Sequence, residues 1–279
     1  MIKISNIILG HKQPIDVLKG SIESSLNQEY DKFETIFVNN SGDTSYPELK
    51  TLYPELKIID TCDLPRGEAR NKGVECSDGD IIVFLDADTI ICDKDAFSKI
   101  NKYSQEFTHG YGANRFWTNS PETFKADSSK FLGAIRKGDK SWLLSNERST
   151  LPKNFDEVSG YHDLKEFTFP ANFGFFTRKL FELVGGFSLK FKEYGGEDDY
   201  LGFLCFKENP DGFKLLNDIS VLHISHPTKN KMDKSWSPGY ANYDLVQNLI
   251  LSENYSAFNI NVLFGVKESE GEKALEGKQ

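Results

Sequence analysis

Ile81-Ile82-Val83-Phe84-Leu85-Asp86-Ala87-Asp88-Thr89 carries five consecutive apolar residues that give way at once to two carboxylates one residue apart. A continuous apolar run of this length suits a strand covered on both faces, where side chains on either side of the pleat meet hydrophobic surroundings. Such strands belong to sheets with helices on both sides, and open sheets of that kind bind ligands outside the carboxyl ends of their strands. The pattern predicts a central strand over 81–85 that delivers Asp86 and Asp88 to a crevice.

The flanking sequence agrees with that reading. Ile4 to Leu9 reads as a first strand, and from Pro14 the apolar residues Ile15, Leu18, Ile22 and Leu26 recur every three or four positions, as in an amphipathic helix with proline in its first turn. Phe33 to Val38 and Leu56 to Ile59 read as the second and third strands, and Arg66 to Cys76 suits a helix. Strands alternating with helical segments predict crossover units, so the expected class is α/β: a Rossmann-like, mixed and mostly parallel central sheet flanked by helices in a single domain. Further on, a helix is expected over 93–107, with Asp93 as its cap and Phe97, Ile100 and Tyr103 inward. Thr118 to Glu166 shows no sustained periodicity and reads as an insertion or lid. Order returns over Phe167 to Thr177, a helix-like Lys179 to Val184, a turn at Gly185-Gly186, a helix opening after Gly195-Gly196 and running through Phe206, and a late strand at Ile219 to Ile224. Tyr240, Tyr243, Val246, Leu249 and Ile250 form a helical stripe that favours a docked helix over a membrane anchor, and Lys267 to Gln279 reads as a mobile charged tail.

Composition narrows the function classes. Of 279 residues, 38% are hydrophobic and 27% charged, which suits a folded chain. With 42 acidic against 33 basic side chains the formal net charge is -9, which disfavours the basic face that a nucleic-acid partner requires. Cys62, Cys76, Cys92 and Cys205 show neither zinc-ligand nor disulfide-framework spacing, so a reducing compartment is expected. The N-terminus lacks the apolar core of a secretory signal, and no apolar stretch approaches the ~20 residues that span a bilayer. The expectation is a cytoplasmic protein with at most peripheral membrane contact.

Four groups of residues could carry chemistry. Asp86 and Asp88 could hold a hard divalent cation together with phosphate oxygens and water, although aspartates also commonly cap turns. In Tyr194-Gly195-Gly196-Glu197-Asp198-Asp199-Tyr200, acids in a first helical turn interact well with the helix dipole. Three in succession repel one another, however, and repulsion raises at least one pKa, which suits a general base near neutral pH. Val221-Leu222-His223-Ile224-Ser225-His226-Pro227 offers two histidines, either a structural residue or a ligand for a borderline metal. Lys12, Arg66 and Arg70 stand at strand-to-helix loops where phosphates would lie, and any one of them could equally be a solvated surface charge.

Five pieces in this order resemble glycosyltransferase family 2 and its GT-A fold: Ile7-Ile8-Leu9-Gly10-His11-Lys12, Val38-Asn39-Asn40-Ser41-Gly42-Asp43, Arg66-Gly67-Glu68-Ala69-Arg70-Asn71-Lys72-Gly73, Asp86-Ala87-Asp88, and Val184-Gly185-Gly186-Phe187 leading to Gly195-Gly196-Glu197-Asp198-Asp199. The last piece is similar to the C-terminal motif of galactosyltransferase and chondroitin-polymerase enzymes. The resemblance covers roughly residues 3 to 227. It implies a sugar donor in the form of a nucleotide sugar, with UDP expected, and a manganese or magnesium ion. It implies that Asp88 binds the metal with His223 or His226, and that Asp86 contacts the donor ribose and the metal shell. Asp198 would be the base for the acceptor hydroxyl and Glu197 would contact sugar. The nucleobase would sit against the first-strand loop and second-strand end, implicating His11, Asn40 and Arg70, with Gly10, Lys12 and Arg66 also at the nucleotide-sugar site. Asn172 would line an acceptor or donor-sugar pocket. The chain departs from the family at Asn39-Asn40-Ser41-Gly42, where Asp-Asp or Asp-Asn with Gly-Ser is usual.

The expected domain spans 1–266, with a nucleotide-sugar half at 1–117, an acceptor and catalytic half at 118–227 and a C-terminal helical segment at 228–266, followed by the tail at 267–279. The expected reaction transfers a sugar to an acceptor hydroxyl with inversion, in bacterial-type glycan synthesis, the acceptor being a saccharide, a lipid-linked oligosaccharide or a peptide. Retention on the same fold and a non-catalytic carbohydrate- or metal-binding module are the alternatives. A sugar-phosphate nucleotidyltransferase is disfavoured, because Gly10-His11-Lys12-Gln13-Pro14 is not its glycine-rich basic loop. Trp117, Trp142 and Trp236 could stack on sugar rings or fill the core.

Overall fold

A computed structural model describes residues 1–42, 46–117, 121–145, 169, 172–193, 195–224 and 241–252, with backbone alone at 114–117, 121–127, 145, 241–244 and 247. The apolar run ending in Asp86 forms strand β4 (Ile81–Asp86). Its side chains alternate between two cores: Ile81, Val83 and Leu85 enter one, Ile82 and Phe84 the other. β1 (Ile4–Gly10) and β2 (Phe33–Asn39) split in the same way, with Ile8 and Phe37 on one side and Ile7 and Val38 on the other. The period-two geometry of a strand is what makes one unbroken apolar run serve both faces.

Helices α1 (Ile15–Leu26) and α4 (Ala96–Tyr103) cover the first face through Leu18, Ile22, Phe97 and Ile100. The second face takes α3 (Arg66–Glu75), together with a short helix over Arg178–Leu183 and a longer one over Glu197–Glu208. Between β2 and α3 lie α2 (Pro47–Leu52) and β3 (Lys57–Asp60). The seven-stranded sheet has the order β3-β2-β1-β4-β8-β6-β9, where β6 is His109–Tyr111, β8 is Phe173–Thr177 and β9 is Phe213–Leu215. β3, β2, β1 and β4 run parallel, and β8 is antiparallel to both neighbours, so the mixed, mostly parallel sheet expected from the sequence is present. A second sheet has the order β5-β10-β7, from Thr89–Ile91, Ser220–His223 and Asn114–Trp117.

Two expectations are corrected. The stretch after Thr118 contains helices α5 (Pro121–Lys137) and α6 (Lys140–Ser145), whose Phe131, Ile135 and Leu143 bury against Ile90 and Leu222 of the second sheet. α5 is also clasped to α1: Arg136 donates through Nε (2.7 Å) and a terminal nitrogen (2.6 Å) to the two oxygens of buried Glu23. Its apolar positions are sparse because it covers a three-stranded sheet and not the main one. Asp93 does not cap α4, which begins at Ala96; its carboxylate instead accepts from the Ser220 N–H and Lys140 Nζ, both at 2.7 Å, joining the second sheet to α6. Of the tryptophans, Trp142 packs edge-on against Phe131 with centroids 5.1 Å apart, while Trp236 and the side chain of Trp117 lie outside the described residues, as does the tail.

After α5 and α6, α7 is Arg178–Leu183, α8 is Glu197–Glu208 and α9 is Ala241–Ser252, the last packing Val246, Leu249 and Ile250 on Tyr200 and Phe203 of α8, as the stripe predicted. Among the described residues no helix is long and apolar enough to cross a membrane.

The second core holds a cluster of aromatic rings. Phe84 lies between 5.2 and 6.1 Å from the rings of Phe187, Phe181, Phe176 and Phe169, in tilted or edge-on contacts. Truncating so enclosed a ring leaves a cavity that the sheet cannot collapse, so Phe84→Ala should lower stability by about 3–5 kcal/mol in urea unfolding.

Candidate active site

The parallel strands run outward from β1, first to β2 and β3 on one side and then to β4 on the other, so the order reverses between β1 and β4. At such a switch point the connecting loops leave in opposite directions and open a crevice at the carboxyl ends. A cleft of about 360 Å³ lies there, lined by His11, Asn40, Asp63, Arg66, Asp86 and Asp88 among others. Gly10 is packed below it: a Cβ at this position would lie 2.7 Å from the Phe37 ring and 3.3 Å from Ala87 Cβ. Lys12 has a left-handed backbone (φ 52°) whose N–H donates to Ser41 Oγ at 2.8 Å. Neither Gly10 nor Lys12 is among the residues lining the cleft.

α3 starts at the same sheet edge and lies close against the strands. A Cβ at Gly73 would stand 2.5 Å from Ile7 Cγ2 and 2.8 Å from Val38 Cγ2, so glycine permits the approach. That approach sinks Arg70, one turn into the helix, to 3% exposure. Its guanidinium joins two distant acids: one terminal nitrogen is 3.0 Å from Asp86 Oδ1 and the other 3.3 Å from Glu197 Oε1. Phe187 lies beneath, its centroid 5.4 Å from the guanidinium carbon. Burial opposes the charge on Arg70, but Asp86, Glu197 and Asp198 outweigh it and raise its pKa further. Arg70 is therefore not a solvated surface charge. Burial also pushes Asp86 up, with Arg70 as the main opposing influence.

α8 is preceded by Gly196, whose φ of 87° favours glycine, and sets Glu197, Asp198 and Asp199 in its first turn. The Asp199 N–H donates to Asp198 Oδ1 at 3.1 Å. Burial, and then the charge of Glu197, pushes Asp198 up to about 7 even though Arg70 and two backbone N–H groups pull the other way. Asp199, pressed by burial and by both neighbours, is raised well above the usual carboxylate range. Glu197 is 3% exposed, and its Oε2 has no hydrogen-bond partner among the described residues.

The second sheet stands beside the cleft acid Asp88. β10 pairs antiparallel with β5, setting His223 opposite Thr89, and the Ile224 N–H donates to the Asp88 carbonyl at 2.7 Å. The pairing brings His223 Nε2 to 3.4 Å from Asp88 Oδ1, each residue 8% exposed. A carboxylate oxygen beside an imidazole nitrogen suits manganese or magnesium with remaining ligands from phosphate or water. Among the described residues no three acidic, histidine or cysteine groups converge as a ready-made cage. His226 lies outside the described residues.

Asp86, Asp88, Arg66, Arg70, His11 and Asn40 thus meet in one cleft, and Arg70 links it to Glu197, which with Asp198 is not among the residues lining it. Asn40 has its side chain committed internally, accepting from the Leu64 N–H and Thr61 Oγ1 and donating to the Leu64 carbonyl, each at 2.8 Å. Asn172 is buried and gives its carbonyl to the Asp86 N–H at 3.2 Å. Sequence reading missed Gln13, Asp63, Lys192 and Glu193, all of which line the cleft from loops that carry no motif.

Removing one partner of a buried ion network leaves charges without compensation. Arg70→Met should cost about 3–5 kcal/mol at pH 8 in denaturant titrations, and less at pH 5, where the orphaned carboxyls take up protons and lose the charge that burial penalises.

Known proteins place this arrangement. The chain is 32% identical over 75 residues to the EpsH protein of Bacillus subtilis (strain 168), a stretch that is 25% of this chain and 22% of that relative's length. The crystal structure of S. aureus TarS 1-349 superposes with a TM-score of 0.62 at 16% identity, covering 94% of this chain and 69% of that one. The mannosyltransferase PcManGT from Pyrobaculum calidifontis, solved with GDP-Man and Mn2+, superposes at 0.54 and 16% identity, covering 91% of this chain and 65% of that one. These likenesses establish a GT-A-type fold. The profile of glycosyl transferase family 2 matches residues 7–181, and this chain, a glycosyltransferase, belongs to that family.

Proposed function

We propose that the protein is a metal-dependent glycosyltransferase that moves a sugar from a UDP-sugar to an acceptor hydroxyl with inversion. The observation that carries this reading is the Arg70 bridge, which ties the cleft acid Asp86 to Glu197 at the start of α8, next to Asp198. Structures of similar fold have been solved with UDP-GlcNAc and with GDP-Man and Mn2+, which supports a nucleotide-sugar donor and a divalent cation. The likeness of Gly195-Gly196-Glu197-Asp198-Asp199 to the galactosyltransferase and chondroitin-polymerase motif supports the placement of the base. The acceptor is a saccharide, a lipid-linked oligosaccharide or a peptide.

Asp88 and His223, with His226 as a further candidate, would hold the cation, and Asp86 and Arg66 would face the donor. When bound, a divalent cation offsets negative charge on a departing diphosphate. Asp198 takes the proton of the acceptor hydroxyl as its oxygen bonds to the anomeric carbon, and the bond from that carbon to the diphosphate breaks on the opposite face. Nucleoside diphosphate leaves, and one in-line displacement inverts the centre. A carboxyl with a pKa of about 7 is ionised for half the molecules at neutral pH while retaining more basicity than an ordinary aspartate.

The reading is tested by incubating the protein with manganese and a panel of nucleotide sugars and measuring free nucleotide. Release from a UDP-sugar that chelator abolishes is expected, and absence of release and binding for every donor overturns it. kcat/KM should rise with pH through about 7, because the base works only when deprotonated. Asp198→Asn should lower turnover by about 10²- to 10⁴-fold and flatten that limb with donor affinity retained. Asp88→Ala should remove the metal dependence of donor binding in calorimetry.

A further inference from the structure

Asn71 follows Arg70 on α3, and its amide goes to a different partner, the backbone of Phe187 in the turn after α7. Oδ1 accepts from the Phe187 N–H at 3.0 Å and Nδ2 donates to the Phe187 carbonyl at 2.8 Å. One side chain thus meets both polar groups of a single residue, as paired strands do for each other. Phe187 is 1% exposed, so those groups need partners inside the protein. The turn is shaped to receive the amide: Gly186 has a φ of 67°, and a Cβ there would lie 2.9 Å from both Asn71 Oδ1 and Phe181 Cε1. Backbone conformation and close approach both call for glycine at this position.

Phe187 is also where the turn meets the buried charges. Its ring centroid is 5.4 Å from the Arg70 guanidinium carbon and 5.2 Å from the ring of Phe84 on β4. A Cβ on Gly67 would stand 2.8 Å from Phe187 Cβ and 3.5 Å from Glu197 Cγ, so the start of α3, Phe187 and Glu197 are in close contact. Arg70 in turn reaches Asp86 and Glu197, and Glu197 immediately precedes Asp198. A displacement of Phe187 would therefore be felt by the ring beneath Arg70 and by the acids opening α8.

We propose that Asn71 is a positioning residue for sugar transfer, holding Phe187 so that Arg70 and, through Glu197, the base Asp198 keep their places. The assignment rests on the role given to Asp198 above. Asn71 is not among the residues lining the cleft; it faces a separate cavity of about 330 Å³ with Glu68, Lys72 and Glu75 of its own helix and Ser188 and Leu189 beyond the turn. It acts on the reaction through the Phe187 backbone and not by touching donor or acceptor.

The test follows free nucleotide released by the whole chain from UDP- and GDP-sugars with manganese, beside calorimetric titration of UDP or GDP to match the sugar that the wild type cleaves. Asn71→Ala should lower kcat by about 10- to 100-fold, the scale for an ångström's misplacement of reacting groups. Its diphosphate Kd should stay within about threefold of wild type, since the clasp lies outside the cleft. The rise of kcat/KM with pH, set at about 7 in the wild type, should move to lower pH, because water reaching the start of α8 removes the burial that holds Asp198 up. Asn71→Asp keeps the volume and the bond from the Phe187 N–H, but when ionised it cannot donate to the carbonyl. It should show the same loss of kcat at retained affinity, and it serves if the alanine variant is poorly folded by circular dichroism. Folded variants with unchanged kcat, with the pH rise left in place, or with affinity and turnover lost in equal measure overturn the proposal and leave the transferase reading intact. A wild type that neither binds nor releases nucleotide overturns both.

Discussion

A guanidinium cut off from water governs the crevice. Arg70 is held by the close seating of α3 on β1 and β2, and its fork ties β4 to the start of α8. An ion in that position is costly unless its donors are met, and two carboxylates distant from each other in the sequence meet them. The arrangement is mutually dependent: Asp86 and Glu197 are tolerable in the interior because Arg70 lies between them, and Arg70 is tolerable because they flank it. Through that bridge the geometry of one half of the cleft becomes the geometry of the other.

The same economy of backbone appears in the second sheet. Three short strands of three or four residues carry little stability by themselves, yet their register decides which side chains share the cleft mouth. Because β10 runs antiparallel to β5, His223 arrives beside Asp88, and α5 and α6 cover the outer surface of this small sheet through Phe131, Ile135 and Leu143. The clasp between Arg136 and Glu23 locks that layer to α1, and the contacts of Asp93 with Ser220 and Lys140 tie the small sheet to α6. The electrostatics of the site follow from the same packing, since Asp198 owes its raised pKa first to burial and then to the neighbour that Arg70 holds in place.

Two parts of the cleft carry no sequence signature. The loop after β3 and the segment around Lys192 and Glu193 line the cavity, and neither carries a repeating pattern, because a loop positions groups by its own hydrogen bonds and not by helical or strand period. The Asn40 amide illustrates the point: a polar residue at a strand end reads as a ligand contact, but its three hydrogen bonds all go to the neighbouring loop.

The sequence by itself determined most strands and helices of the first hundred residues, though not α2 or β5, together with the α/β class and the place of Asp86 and Asp88 at a strand end, because those follow from local periodicity and from the two-sided burial that a continuous apolar run demands. It also marked Glu197 and Asp198 as acids opening a helix. Only the tertiary structure decided that Arg70 is an internal bridge, that His223 stands against Asp88, that Asp93 serves the second sheet and not α4, and that an apparently irregular stretch contains α5 and α6. These are pairings between residues far apart in the chain, set by register, helix seating and the need to satisfy buried charge. A linear pattern holds no record of them until the layers are packed together.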